Sequence, residues 1–102
     1  MIPTIPALTE TAFLSQVRQL ATLMGYKVYH TRFSIKSDPG FPDLVLAKPR
    51  KPVIFAELKR EDGLLTSSQL QWLGILKICK GCLVFVWRPS DWDSIERILK
   101  GE

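Results

Sequence analysis

Asp43, Glu57 and Lys59 are the residues whose types and spacing point to chemistry. They lie on two apolar stretches, residues 41–47 and 53–59, both rich in β-branched and aliphatic side chains and both read as strands. Between them, Lys48-Pro49-Arg50-Lys51-Pro52 suits a solvated turn, because two prolines cannot serve a ladder. With the turn centred on Arg50, Ala47 faces Val53 and Asp43 faces Glu57. Facing residues point to the same side of a sheet, and alternation puts Lys59 on that side with Leu58 turned away. Two carboxylates that close repel one another and lose water near a core. A hard divalent cation held by oxygen ligands offsets that cost. Lys59 offsets part of it without a metal, so a plain salt bridge at a strand end is the structural alternative.

The flanking elements follow from pattern. Thr9 is the expected N-cap of a first helix, with Phe13, Val17, Leu20, Ala21 and Met24 at helical spacing and Gly25 as its stop. Glu10, in the first turn, suits the positive end of the helix dipole. Gln16 and Arg18 fall on the solvated face. Residues 27–31 alternate as a first strand, where His30 reads as a hydrogen-bonded structural residue within reach of a substrate. Residues 32–40 form a loop running into Asp43. Its Arg32 and Lys36, with Arg60 beyond the hairpin, are candidates either for phosphate contacts or for plain solvation, since loops beside a strand-end site often bind substrate. Gly40 is expected to take a backbone turn that a side chain would block.

Thr66 or Ser67 caps the next helix, expected to reach about Lys80, with Gln69 in its first turn. Leu70, Trp72, Leu73, Ile75, Leu76 and Ile78 spread around more than half of it, too wide for one sheet face to cover. We therefore expect a second buried surface, most simply a homodimer contact. The run 82–87 reads as a central, fully buried strand. Ser90-Asp91-Trp92-Asp93 reads as a capping box opening a last helix. The order is α-β-β-β-α-β-α, an α/β class.

The 102 residues suit a single domain spanning 1–102, with residues 1–8 as a short arm. With 46% hydrophobic residues the chain is expected to fold rather than stay disordered. No run is long enough to span a bilayer, no signal peptide is evident, and no membrane partner or small-molecule organic cofactor is expected. Cys79 and Cys82 lack the further ligands a zinc site needs, and read as small apolar filler in a reducing, cytoplasmic setting. A net charge of +4 favours a polyanionic partner without specifying one.

Taken together, Gly40-Phe41-Pro42-Asp43, Glu57-Leu58-Lys59 and Gly63-Leu64-Leu65-Thr66 with Gln69 and Trp72 resemble the VRR-NUC (virus-type replication-repair nuclease) branch of the PD-(D/E)xK nucleases, in its stand-alone viral or phage form. The resemblance runs from about Thr9 to Leu99. It implies a restriction-endonuclease-like core, a mixed sheet flanked by helices with a C-terminal helix added. It implies Asp43, Glu57, Lys59 and Gln69 as catalytic residues. It also implies Asp43, Glu57, the Leu58 carbonyl and Glu10 around Mg²⁺ or Mn²⁺, an oxygen donor set that argues against zinc. The expected activity is divalent-metal-dependent, structure-specific DNA endonuclease action by a homodimer on branched DNA such as four-way (Holliday) junctions, in a viral or host-cell interior. The alternatives are a nuclease of flap, nicked or linear DNA, or a catalytically inert DNA-binding module.

Overall fold

The structure, a computed structural model, describes residues 8–32 and 36–102. All but the last residue of the expected arm, and residues 33–35 of the expected loop, lie outside the described residues. The elements are α1 (Glu10–Leu23), β1 (Lys27–His30), β2 (Leu44–Ala47), β3 (Val53–Leu58), α2 (Ser67–Ile78), β4 (Cys82–Trp87), a 3-10 turn (Pro89–Asp91) and α3 (Trp92–Lys100). The expected order is the observed one.

The strands form one mixed sheet in the order β1-β2-β3-β4. β1–β2 and β2–β3 pair antiparallel and β3–β4 parallel. The hairpin register is Leu44 to Ala56, Val45 to Phe55 and Leu46 to Ile54. One step beyond, Asp43 stands opposite Glu57, as the turn centred on Arg50 requires. Arg50 has a φ of 68°, and the Lys51 N–H donates to the Lys48 carbonyl at 3.1 Å. Lys48 is not a solvated turn cation. Its Nζ donates to the Met24 carbonyl at 2.8 Å and lies 5.5 Å from the centre of the Tyr26 ring.

Strand alternation sends Leu44, Leu46, Ile54, Ala56 and Leu58 to one face, where they bury against Phe13, Val17 and Ala21 of α1 and Ile95 and Leu99 of α3. Burying each larger aliphatic or aromatic side chain contributes about 1.5–3 kcal/mol. The opposite face carries Phe55 and receives α2. Phe41 meets Phe55 edge-on at 6.0 Å and Trp72 edge-on at 5.0 Å, joining the loop before β2 to that layer.

Several expectations need correction. β4 is an edge strand and only its Trp87 is fully buried. The continuous apolar run reflects two faces, not a central place. Phe85 and Trp87 stack at 5.3 Å toward the core, and the alternate residues turn toward α2. α2 stops at Ile78, with Cys79 as its C-cap. Cys79 is exposed and so is not filler, while Cys82 is partly buried, and both are free thiols. The capping box expected at residues 90–93 does not form, because Asp91 accepts instead from the Arg88 N–H at 2.9 Å and closes the 3-10 turn.

The wide apolar surface of α2 is real. Leu73 is buried, while Leu70, Ile75 and Ile78 are 56%, 59% and 83% exposed. Among the described residues no helix is long and apolar enough to cross a membrane.

Candidate active site

The site lies where β2 begins and β3 ends. Gly40 sets the approach of Asp43. It has a φ of +91°, and a Cβ there would lie 2.4 Å from the Ser68 carbonyl carbon. Only glycine fits both the left-handed backbone and that contact with the first turn of α2. The expectation for Gly40 holds, for a tighter reason than the turn alone. The Asp43 carbonyl then accepts from the Thr31 N–H at 2.8 Å, extending the β1–β2 ladder by one bond. The Asp43 carboxylate turns across the hairpin and accepts from the Leu58 N–H at 2.8 Å through Oδ2.

Glu57 is 1% exposed, the single buried charged residue among those described. Burial pushes its pKa up to about 9, helped by a hydrogen bond to Asp43 and by repulsion from that carboxylate. The positive charge of Lys59 pulls the other way, and Glu10 adds a further push upward. Without another partner, Glu57 therefore holds its proton at neutral pH. Its Oε1 accepts from Gln69 Nε2 at 3.3 Å, and no protein donor reaches its buried Oε2, which leaves that oxygen to a proton shared with Asp43 or to a cation. An orphaned buried carboxylate oxygen is costly and calls for a cation or a proton.

Gln69 holds Glu57 because its other end is anchored. Its Oε1 accepts from the Thr66 N–H at 2.9 Å, while Thr66 Oγ1 accepts from the Gln69 N–H at 3.2 Å. This is a complete capping box, so the cap of α2 aims the amide. Gln69, implied as a catalytic residue, contacts Glu57 here.

Lys59 is half-buried and forms no ion pair with either carboxylate among the described residues, so the strand-end salt bridge does not form. Its N–H donates to the Trp87 carbonyl at 3.0 Å, and a Cβ at Gly63 would lie 3.4 Å from its Cδ. Glu10, Asp43 and Leu58 line one pocket of about 100 Å³ with Thr11 and Leu14, ample for several waters or a hydrated ion. No three acidic, histidine or cysteine side chains among the described residues already converge as a ligand cluster. Asp43 and Glu57 are the pair, and Glu10 stands across the pocket.

Of the candidate DNA contacts, Arg32 is exposed and lines a separate groove with His30, and Lys36 lies on the exposed loop. Arg60 is ion-paired on the surface with Asp62 at 2.9 Å. Sequence reasoning missed Arg88. Its guanidinium donates to the carbonyls of Arg60, Glu61 and Gly63 at 2.8, 3.2 and 2.8 Å, and Ser90 binds the Glu61 carboxylate. Together they pin the loop that follows Lys59. The signal was available only through the parallel β3–β4 pairing, which brings the end of β4 beside the end of β3.

Among solved structures, a VRR_NUC domain protein superposes with a TM-score of 0.72, covering 95% of this chain and 89% of its own, at 17% identity. The chain has the VRR-NUC fold. No protein-family model matches the sequence, and no curated protein matches it. In this VRR-NUC fold the acidic pair occupies the hairpin end where the sequence motif placed it.

Proposed function

We propose that this chain is a divalent-metal-dependent, structure-specific DNA endonuclease that hydrolyses phosphodiester bonds as a homodimer on branched DNA such as four-way junctions. The observation that carries this reading is the buried Glu57 carboxyl, with one oxygen that no protein donor reaches, beside Asp43 and within the field of an unpaired Lys59. A purely structural role explains that arrangement less well, because an apolar residue in place of Glu57 would be cheaper to bury.

The donor set fits a hard cation. Asp43 and Glu57 would hold Mg²⁺ or Mn²⁺ directly, with the Leu58 carbonyl as a further oxygen and Glu10 direct or through water. Such an ion, when bound, lowers the pKa of water and neutralises phosphate charge. Glu57 must give up its proton to serve as a ligand, and Gln69 then donates to the resulting carboxylate. Asp43 is kept at its post by the Leu58 N–H. Lys59, free of any internal ion pair, is available to the attacking water or to the scissile phosphate, where it orients the one or stabilises charge on the other. The Arg88 clasp on residues 60–63 limits the freedom of the loop beside it.

The uncovered apolar residues Leu70, Ile75 and Ile78 support a second copy as the partner of α2, and a two-fold pair of sites suits symmetric cutting of a junction. The test is cleavage of labelled four-way junction, flap, single-stranded and linear duplex DNA with Mg²⁺, Mn²⁺ or EDTA, by wild type and Glu57→Ala. Paired symmetric cuts in the junction, lost in EDTA and in the variant, are expected. Cutting of another structure keeps the chemistry and removes the junction. No cutting and no metal binding would leave an inert binding module. Lys59→Ala is expected to lose rate more than binding, and an unchanged rate would sink the proposed role.

A further inference from the structure

α1 and β1 enclose a groove of about 680 Å³ outside the carboxylate pocket, with Thr11, Leu14, Arg18, Leu23, His30 and Arg32 among its walls. Thr11 and Leu14 line both spaces, so the groove adjoins the pocket lined by Asp43 and Glu10. Arg18 and Arg32 both face it, and neither forms an ion pair among the described residues. Arg18, read from sequence as one more cation on a solvated helix face, is therefore part of a built surface. The walls are largely apolar, and Leu23 is highly exposed on one of them. His30 adds a polar group whose pKa is lowered by burial first and by Arg18 next, so at neutral pH it can hydrogen-bond without charge.

Two unpaired guanidinium groups over apolar walls match a chain of phosphates joined by sugars. A free small anion needs no such length or apolar surface. The volume falls in the roughly 300–1,000 Å³ range of ligand clefts, which admits a short run of single strand and not a duplex. The mirror case is instructive. Arg50 and Lys51 are just as basic but lie at the opposite end of the hairpin, away from the carboxylates.

We propose that this groove carries the single strand that continues from the scissile phosphate, with Arg18 and Arg32 taking phosphates and Leu14 and Leu23 taking sugar and base faces. The assignment rests on the nuclease reading of the adjoining pocket. In that arrangement a strand must leave the duplex to reach the site, so the groove selects DNA with a branch or an end over an uninterrupted duplex.

The test is fluorescence anisotropy with a labelled single-stranded oligonucleotide and a labelled four-way junction, in EDTA so that no cutting occurs. Arg18→Glu and Arg32→Glu are compared with Lys51→Glu, all at exposed positions. Each groove reversal is expected to weaken binding at least about tenfold and to lower the salt slope by roughly 0.7–1 per lost phosphate contact. Lys51→Glu is expected to stay within about twofold of wild type. A second readout uses disulfide trapping of a thiol-tethered oligonucleotide by Leu23→Cys, with Cys79 and Cys82 replaced by Ser and Lys51→Cys as the control position. Trapping at residue 23 alone supports the groove. Wild-type binding by Arg18→Glu, in a protein that still cuts DNA, overturns the groove and leaves the nuclease. Binding through the groove by a protein that cuts nothing does the reverse. Equal displacement by poly-glutamate overturns the strand assignment, and absence of any nucleic-acid binding overturns both readings.

Discussion

Glu57 is expected to make the stability of the protein in EDTA fall with rising pH. Its folded-state pKa of about 9 lies above the ordinary value of 4.5. Between those values the folded state keeps a proton that the unfolded chain has released, so stability is greatest below 4.5 and is lost as pH rises toward 9. The slope for one proton is about 1.4 kcal/mol per pH unit. The window from about pH 7 to pH 8 isolates this group from His30. The His30 pKa is lowered on folding, so above its ordinary 6.5 it is neutral in both states. Over that one unit wild type is expected to lose about 1.4 kcal/mol, or roughly 5–8 °C in Tm for a domain this size. Glu57→Gln keeps the shape and a neutral group, and is expected to remain flat over the same unit.

Thermal unfolding in EDTA at the two pH values reads this directly, with the variant subtracting every other titration. Adding saturating Mg²⁺ is expected to flatten the wild-type slope, because metal and proton compete for one carboxylate and the metal-bound folded state keeps no proton on Glu57. Parallel curves for wild type and Glu57→Gln in EDTA would refute the reasoning, since they would mean that Glu57 is already ionised in the folded state.

Four further changes have defined outcomes. Gln69→Ala removes both the cap on Thr66 and the donor to Glu57, and is expected to cost about 1–2 kcal/mol in chemical denaturation and to reduce kcat. Gly40→Ala meets the backbone of Ser68 at a left-handed φ and is expected to cost about 2–4 kcal/mol by the same measurement. Arg88→Met frees the carbonyls of residues 60–63, and limited proteolysis is expected to cut that loop sooner while the far end of the sheet keeps its resistance. Leu70→Asp with Ile78→Asp leaves the core untouched, so light scattering is expected to show a folded monomer where wild type is expected to run as a dimer.

The hairpin was legible because one turn residue fixed everything after it. With Arg50 at the centre, period-two alternation settled which side chains share a side, and the structure keeps that register. α1 was legible through Thr9 and Gly25, and the unusual apolar breadth of α2 survives as exposed Leu70 and Ile78. The position of β4 was not legible. Two helix layers make both faces of an edge strand apolar, and side-chain pattern does not record missing hydrogen-bond partners. Lys48 was misread because turn cations are usually solvated, and its carbonyl partner lies 24 residues away. The partner of Gln69 and the clasp of Arg88 depend on how α2 and β4 cross the hairpin, which no local spacing encodes. The acidic pair itself could be named, whereas the orphaned oxygen of Glu57 required the packing around it.

One side chain joins a helix start to the chemistry. The two ends of the Gln69 amide grip the Thr66 N–H and the Glu57 carboxyl at once. Any event that draws Glu57 toward a bound ion or releases its proton changes the pull on that amide, and the first turn of α2 feels it. The Thr66 amide hydrogen, on the far side of the glutamine from the carboxylate, is therefore a built-in reporter. Its exchange rate with solvent is expected to change with the occupancy of a pocket that it never touches, and would follow that pocket without a substrate, a label or a cut strand.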